Sequence, residues 1–232
     1  MSLKVHAFIA QAGITSRRKA EELILKGKVQ VNGKNAVIGQ RIDPKKDLVM
    51  IDQQVVNPQT NIVTYLINKP VGIVSTTSDE LGRKTVNDFL QSKVAEDVKL
   101  PRLYPVGRLD MESEGLMVLT NDGNLAQYLT HPSNEVPKTY HIVVEGKPTF
   151  LALRHLERGV KLREGMTSPA LIELLEAGPD QTKLAITIHE GWNHQVRRMM
   201  LRVGYKVITL VRVRIGDYTL DQLQDQPYLL VK

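Results

Sequence analysis

The sequence contains no cysteine, few aromatic residues and no long apolar run. With 0 cysteines in 232 residues, it has no disulfide, no thiolate nucleophile and no cysteine-ligated zinc or iron–sulfur centre. Cysteine-free chains suit a reducing compartment, so we expect a cytoplasmic protein. No apolar run approaches the ~18–20 residues of a membrane span, and the first residues lack the pattern of a signal peptide. We therefore expect neither a membrane partner nor export.

The excess of positive charge is concentrated near the amino terminus. The chain carries 31 Lys and Arg against 25 Asp and Glu, a net charge of +6. Residues 1–60 hold 10 basic and 5 acidic side chains, whereas the remaining residues hold 21 and 20. A basic module in front of a near-neutral body indicates a polyanion-binding domain, for which nucleic acid is the commonest partner. A solvated surface of mixed charge is the alternative interpretation.

The basic module has the pattern of two short helices followed by a hairpin. Apolar residues at i, i+3, i+4 and i+7 predict a helix over 4–12. Thr15 or Ser16 can cap a second helix, which has its own apolar face. The alternating segment 29–31 then runs into an Asn-Gly pair at 32–33, which is a strong hairpin signal.

Three cations, Arg17, Arg18 and Lys19, stand in the first turn of the second predicted helix. Cations there oppose the helix dipole, which favours anions at that end by ~0.3–1 kcal/mol per charge. Free backbone N–H groups beside cations bind phosphate, so we predict that these residues contact a nucleic-acid backbone. Alternatively, Arg17 pairs with Glu21 and Arg18 with Glu22, and the pairs only solvate the helix face.

Residues 13–24 (GITSRRKAEELI) and 27–33 (GKVQVNG) resemble the alpha-L RNA-binding motif. That motif is shared by a small-subunit ribosomal protein, bacterial tyrosyl-tRNA synthetases and several RNA-modifying enzymes. The resemblance extends over about residues 4–50 and implies binding to structured RNA.

Residues 52–61 are polar and contain a proline, which is typical of a linker. We predict an alpha-L type domain with its linker over 1–60 and a larger domain over 61–232. Several predicted strands lie too close in sequence for helical crossovers, which favours an α+β fold with a mixed, mainly antiparallel sheet. The pattern predicts strands at 63–67, 116–120, 140–144, 171–175, 184–189 and 207–215, and helices at 86–91, 125–129, 150–158 and 194–203.

A loop before the apolar strand at 116–120 carries one arginine and three acids. Pro105, Gly107 and Gly115 frame this loop. A carboxylate near an arginine tends to stay ionised, as an aspartate nucleophile must. The arginine can instead insert into a nucleic-acid helix, and a surface turn with solvated acids is the plainer alternative.

The loop sequence GRLD at 107–110, with Ser113 and the following GLMVLTNDG at 115–123, resembles a family signature. The family is that of the ribosomal RNA pseudouridine synthases of the small-subunit/large-subunit type, whose members carry an N-terminal alpha-L domain. Further segments resemble the family's opening turn, tyrosine motif, arginine motif and last core strand, and they follow in the family's order. These segments are NKPVG at 68–72, KTY at 138–140, EGWNHQVRRM at 190–199 and LVRVRIG at 210–216.

The resemblance implies isomerisation of uridine in ribosomal RNA without a cofactor or metal. The glycosidic bond breaks, the uracil turns, and a ring carbon rejoins the sugar. Asp110 matches the essential aspartate, which acts on the ribose as nucleophile or base, through a covalent adduct or a glycal. Tyr140 matches the residue that stacks on the uracil, and Arg197 the arginine that pairs with the aspartate. Arg108 matches the side chain that fills the space left by the extruded nucleotide.

Each matched residue also has a plainer structural interpretation. Tyr140 alternates with Ile142 in a predicted strand, and Arg197 lies on the polar side of a predicted helix. Leu210 is a possible buttress for the uracil or plain core. Further phosphate contacts are predicted at Lys69, Arg198, Arg212 and Arg214.

One metal-site pattern does not hold. His189, Glu190 and His194 resemble a zinc-protease helix, but the histidines are five apart rather than four and Gly191 interrupts them. We therefore predict no metal site. A metal-dependent hydrolase acting on nucleic acid would need a carboxylate cluster, which the sequence does not indicate.

Two functions remain open from the sequence. The first is a cofactor-free isomerase of ribosomal RNA, and the second is a non-catalytic RNA-binding or ribosome-assembly protein in which Asp110 only orders Arg108 or Arg197. The predicted partner is ribosomal RNA or a ribosomal assembly intermediate. The helix start at 16–18 favours large-subunit over small-subunit RNA. Because no heptad pattern is present, we predict a monomer.

Overall fold

The structure is a computed structural model and describes residues 2–58 and 61–232. It divides into two compact units. The first comprises the described residues up to Val63, with Leu100–Arg102 and Asn121–Gly123. The second comprises Thr64–Lys99, Leu103–Thr120 and Asn124–Lys232. No helix in the described part of the chain has the length and apolar character needed to cross a membrane.

The first unit consists of two short helices and small antiparallel strands, as predicted. Its elements are β1 (Leu3–Lys4), α1 (Val5–Gln11), α2 (Arg17–Leu25), β2 (Val29–Val31), β3 (Lys34–Asn35), β4 (Arg41–Ile42), β5 (Val49–Ile51) and β6 (Gln54–Val55). Strand β1 pairs with β4, and the others form a sheet in the order β3-β2-β5-β6. The apolar faces of both helices pack with the strands around Phe8, Ile9 and Ile24.

Local sequence explains the boundaries of these elements. The Ser16 hydroxyl accepts a hydrogen bond from the N–H of Lys19 (3.2 Å) and so caps α2. Asn32 and Gly33 both have positive φ, 51° and 78°, as the two-residue hairpin turn between β2 and β3 requires.

The predicted linker is wrong in its first part. Asp52 and Gln53 have positive φ, 46° and 67°, and they form a second two-residue turn, because Ile51 faces Gln54 across the β5–β6 pair. Residues 54–55 are therefore a strand of the first unit. The predicted linker also includes residues 59 and 60, which lie outside the described residues.

The second unit is built on a mixed sheet. Its elements are β7 (Thr64–Lys69), α3 (Val86–Gln91), β8 (Tyr104–Pro105), β9 (Glu114–Thr120), α4 (Gly123–Thr130), a 3-10 helix (Pro132–Asn134), β10 (Lys138–Glu145), α5 (Phe150–Arg158), β11 (Leu171–Ala177), β12 (Gln181–Ile188), α6 (Gln195–Arg202), β13 (Val207–Ile215), β14 (Tyr218–Thr219), a second 3-10 helix (Leu220–Leu223) and β15 (Tyr228–Leu230). Within the described residues the main path of the sheet runs β11-β12-β10-β13-β9-β7-β15. The β13–β9 pair is parallel and its neighbours are antiparallel, which confirms the predicted mixed, mainly antiparallel sheet.

Strand β9 follows the loop of Asp110 and lies deep in the sheet. Its residues 115–120 are buried; β7 pairs along one edge, and on the other edge β13 pairs at the start of β9 and β8 at its end. Gly115 has φ of 105°, and a Cβ atom there would lie 2.4 Å from the carbonyl oxygen of Arg212. Only glycine allows the two backbones to approach this closely, so Gly115 fixes where the loop leaves the sheet.

Candidate active site

A pocket opens in the second unit beside the loop of Asp110. Its volume is about 370 Å³, within the ~300–1,000 Å³ of small-ligand sites. The loop at 107–113, strand β10, the segment 188–197 and strand β13 contribute to its lining. The pocket thus contains Asp110, Tyr140 and Arg197, the three side chains that the sequence predicts to be catalytic.

Lys69, the last residue of β7, holds the backbone of the Asp110 loop. Its ammonium donates hydrogen bonds to the carbonyls of Ser113 (2.7 Å), Pro70 (3.0 Å) and Asp110 (3.2 Å). Burial lowers the pKa of Lys69 from 10.5 to about 8, although the nearby carboxylates of Asp110 and Glu114 oppose this shift. The predicted phosphate contact is wrong for Lys69, because the side chain is 0% exposed and all three of its donors are occupied.

The carboxylate of Asp110 lies beside His194, with 3.6 Å between Oδ1 and Nε2. Arg197 donates instead to the carbonyls of Val207 (3.2 Å) and Glu112 (3.4 Å). Among the described residues, no ion pair joins Arg197 to Asp110, so the pairing implied by the resemblance is not formed in this structure. Arg197 nevertheless reaches the same loop, at the backbone two residues beyond the aspartate.

The segment that carries His194 is fixed by a buried amide. Glu190 accepts hydrogen bonds from the N–H of Ser168 and from the side-chain amide of Gln195 (3.1 Å). The amide oxygen of Gln195 accepts in turn from the N–H of Trp192 (3.1 Å). Burial alone would raise the pKa of Glu190, but these hydrogen bonds outweigh it and lower the pKa below its usual 4.5. Glu190 therefore stays ionised, and its hydrogen bond from Gln195 ties the segment 190–194 to the first residue of α6.

Strands β10 and β13 form one wall of the pocket. Tyr140 and Leu210 line it and are buried, and Tyr140 faces Arg212 across the two strands. Arg212 is 2% exposed, and its Nε donates to the carbonyl of Leu116 (2.8 Å). Arg212 also lines the pocket, and its contact with an RNA phosphate stays a prediction.

Two family models match the chain in sequence. Residues 63–202 match the model described as RNA pseudouridylate synthase, and residues 4–48 match the S4 domain. The chain belongs to the RNA pseudouridylate synthase family. The alpha-L type domain predicted at the amino-terminal end corresponds to the S4 match.

Similar proteins of this synthase family cover most of the chain. It is 44% identical over 213 residues to "Ribosomal large subunit pseudouridine synthase B" of Bacillus subtilis (strain 168), which covers 90% of this chain and 84% of that protein. It is 41% identical over 194 residues to "Ribosomal large subunit pseudouridine synthase E" of Vibrio vulnificus (strain CMCP6), over 78% of this chain and 76% of that protein. A crystal structure of a pseudouridylate synthase matches with a TM-score of 0.67 and 28% identity over 99% of this chain and 96% of that chain. The predicted family, fold class and enzyme class are confirmed.

The remaining cations of the synthase domain differ in their availability. Arg108 lines the pocket and is exposed, and no hydrogen bond or ion pair engages its guanidinium among the described residues. Arg214 is exposed and donates through Nε to the carbonyl of Gly216 (2.7 Å). Arg198 binds Glu164 through its two terminal nitrogens at 2.8 and 3.0 Å, and its contact with phosphate stays a prediction.

The cations at the start of α2 are free for a ligand. Arg17, Arg18 and Lys19 are exposed, and none of them forms an ion pair within the part of the chain that the structure describes. Glu21 contacts His6 (3.0 Å) rather than Arg17, so the alternative of paired, solvated charges does not hold.

No cluster of three or more metal-binding side chains occurs among the described residues. His189 and His194 both line the pocket, but only His194 contacts a carboxylate. The sequence did not predict this role for His194, because its spacing from His189 indicates only a metal-site pattern.

Proposed function

We propose that this protein converts a specific uridine of large-subunit ribosomal RNA into pseudouridine, with Asp110 acting on the ribose. The observation that carries the proposal is the position of Asp110, which lines a nucleoside-sized pocket with Tyr140 in its wall. The names of the B and E relatives favour large-subunit over small-subunit RNA. Uridine and pseudouridine are isomers, so the overall reaction needs no atom or electron from a cofactor.

The chemistry requires the target nucleotide to leave its stack before it enters the pocket. The bond from ribose to the ring nitrogen breaks, the uracil turns, and the ribose bonds to a ring carbon. That carbon loses its proton, and the released nitrogen gains one. We infer that Asp110 attacks or deprotonates the ribose, while Tyr140 stacks on the turning uracil.

Arg108 and Arg197 support these steps in different ways. The unengaged guanidinium of Arg108 beside the pocket suits a side chain that fills the gap left by the nucleotide. Arg197 holds the carbonyl of Glu112, and its direct pairing with Asp110 remains a prediction for the RNA-bound protein. Arg214 supplies a further exposed cation for phosphate.

The first unit supplies affinity for the RNA. Its three unpaired cations stand at a capped helix start, where backbone N–H groups also favour phosphate. We place the RNA-binding domain with its linker at 1–60 and the catalytic domain at 61–232. We further propose that the protein acts as a monomer in the cytoplasm, on ribosomal RNA or an assembly intermediate.

The test uses ribosomal RNA from cells that lack this protein, with the wild type or Asp110→Asn added back. Carbodiimide marks pseudouridine, and primer extension then stops at each marked nucleotide. We expect one stop to disappear in the deletion strain and to return only with the wild type. If the pattern does not change, or if Asp110→Asn restores the stop, the proposal fails.

A further inference from the structure

His194 is the partner that the structure assigns to the carboxylate of Asp110. Its Nε2 lies 3.6 Å from Oδ1, and the two side chains are 46% and 30% exposed. No other side chain among the described residues forms an ion pair or hydrogen bond with this carboxylate. The terminal torsion of an aspartate has a broad, shallow preference, so a carboxylate without a partner is not held in one orientation.

Two independently fixed loops meet at this contact. On one side, Lys69 holds the carbonyls of Asp110 and Ser113. On the other, the Gln195 amide binds Glu190 and so closes the segment that ends at His194. Because the backbone is fixed on both sides, the imidazole needs to move only about half an ångström to form a full hydrogen bond.

The backbone of His194 supports a functional reason for its position. His194 stands at the N-cap of α6 with φ of 49° and ψ of 31°, and its side chain does not cap the helix. The left-handed region is uncommon for residues other than glycine, although histidine adopts it more often than most, and it persists where the surroundings enforce it. Here this conformation places the imidazole against Asp110 rather than against the helix end.

We propose that His194 is a positioning residue that fixes the orientation of the Asp110 carboxylate toward the ribose. This inference rests on the proposed function, since it assigns a task only if Asp110 acts on the sugar. After the imidazole has moved from the 3.6 Å separation seen here to hydrogen-bond distance, its Nε2 donates to one carboxylate oxygen and leaves the other available. A binding contact of His194 with an RNA phosphate is the competing outcome, and the kinetics separate the two.

The experiment measures tritium release from a large-subunit ribosomal RNA transcript whose uridines are tritiated at the carbon that bonds to the ribose. We expect His194→Ala to lower kcat about tenfold, as loss of one charge-assisted hydrogen bond would, with KM within about twofold of the wild type. His194→Gln keeps an amide N–H near the position of Nε2 and should recover most of kcat. A matched control is His155→Gln on the exposed face of α5, which should change neither constant.

Three outcomes overturn the inference. A raised KM with unchanged kcat in His194→Ala indicates an RNA contact, equal losses in the Ala and Gln variants indicate a merely structural side chain, and unchanged kinetics indicate no role. If the Ala variant does not fold, His194→Asn replaces it, because asparagine tolerates the left-handed region but is too short to reach Oδ1. Asp110→Asn run in parallel separates the two proposals, since activity in that variant would refute the proposed function itself.

Discussion

Replacing the buried Lys69 should reduce activity strongly while changing the free energy of unfolding little. Lys69→Met keeps a side chain of similar length but removes the donor to the loop carbonyls of Asp110 and Ser113. The Asp110 loop would then lose the hydrogen bonds from Lys69 and keep the one from Arg197 to the carbonyl of Glu112. We expect kcat to fall at least tenfold, because a displacement of about 1 Å in a catalytic group costs up to ~100-fold.

The free energy of unfolding should change much less. Lowering the pKa of Lys69 from 10.5 to about 8 means that the charged form is disfavoured by about 3 kcal/mol in the folded protein, at ~1.4 kcal/mol per unit. The methionine removes that cost but leaves three carbonyls without this donor. The buried carbonyl of Ser113 costs ~1–3 kcal/mol, and the partly buried carbonyls of Pro70 and Asp110 cost less. The two effects nearly cancel, so we expect a net change below about 2 kcal/mol.

The pH dependence gives a second test, because raising the pH should increase stability and decrease activity. Between pH 8 and 10.5 the unfolded chain binds more protons at Lys69 than the folded chain, so this lysine makes stability rise with pH in that window. Activity should fall above pH 8, because the neutral amine no longer forms charge-assisted hydrogen bonds. Both effects should disappear in Lys69→Met.

The assay combines tritium release with urea unfolding across this pH range. Lys147→Met, at an exposed position, is the matched control and should behave like the wild type. Wild-type kcat in Lys69→Met would refute the view that this lysine holds the Asp110 loop in a position that activity requires. If Lys69→Met loses activity only because it is unfolded under the assay conditions, the expected small change in the free energy of unfolding is refuted.

Further substitutions test the fold and the RNA interface. Gly115→Ala should reduce the free energy of unfolding by more than about 3 kcal/mol, because its Cβ would lie 2.4 Å from the Arg212 carbonyl; Gly146→Ala, with open space around it, should cost less, and equal urea midpoints would contradict this. Ser16→Ala should cost about 1 kcal/mol in thermal unfolding through the lost cap, and an unchanged Tm would argue against it. Glutamine at 17–19 should weaken RNA binding and lower the slope of log K against log salt by about 2–3, whereas an unchanged slope would exclude phosphate contacts there.

Much of the fold was predictable because its elements carry simple periodicity. The strand at 207–215 and the helix at 150–158 match the structure to the residue, since each has a clear apolar pattern and distinct ends. Strand β15 was missed because three residues are too short for a pattern. The hairpin turn at 52–53 was missed because Asp-Gln lacks the glycine that usually marks such a turn.

The candidate site was predictable only in part. The order of the family motifs identified the pocket residues at 110, 140 and 197. The general rule that charged residues lie on the surface did not hold for Lys69 and Arg212. Those two side chains are buried because backbone carbonyls from distant parts of the chain accept their hydrogen bonds. Local sequence carries no signal for such partners.

The parallel pair of β9 and β13 has a consequence for the order of folding. It joins Gly115 to Arg212, which are far apart in sequence, whereas β11 and β12 are neighbours in sequence. Contacts between distant segments form late, since the chain must first close a long loop. A growing chain therefore cannot complete the pocket around Asp110 until β13 has left the ribosome.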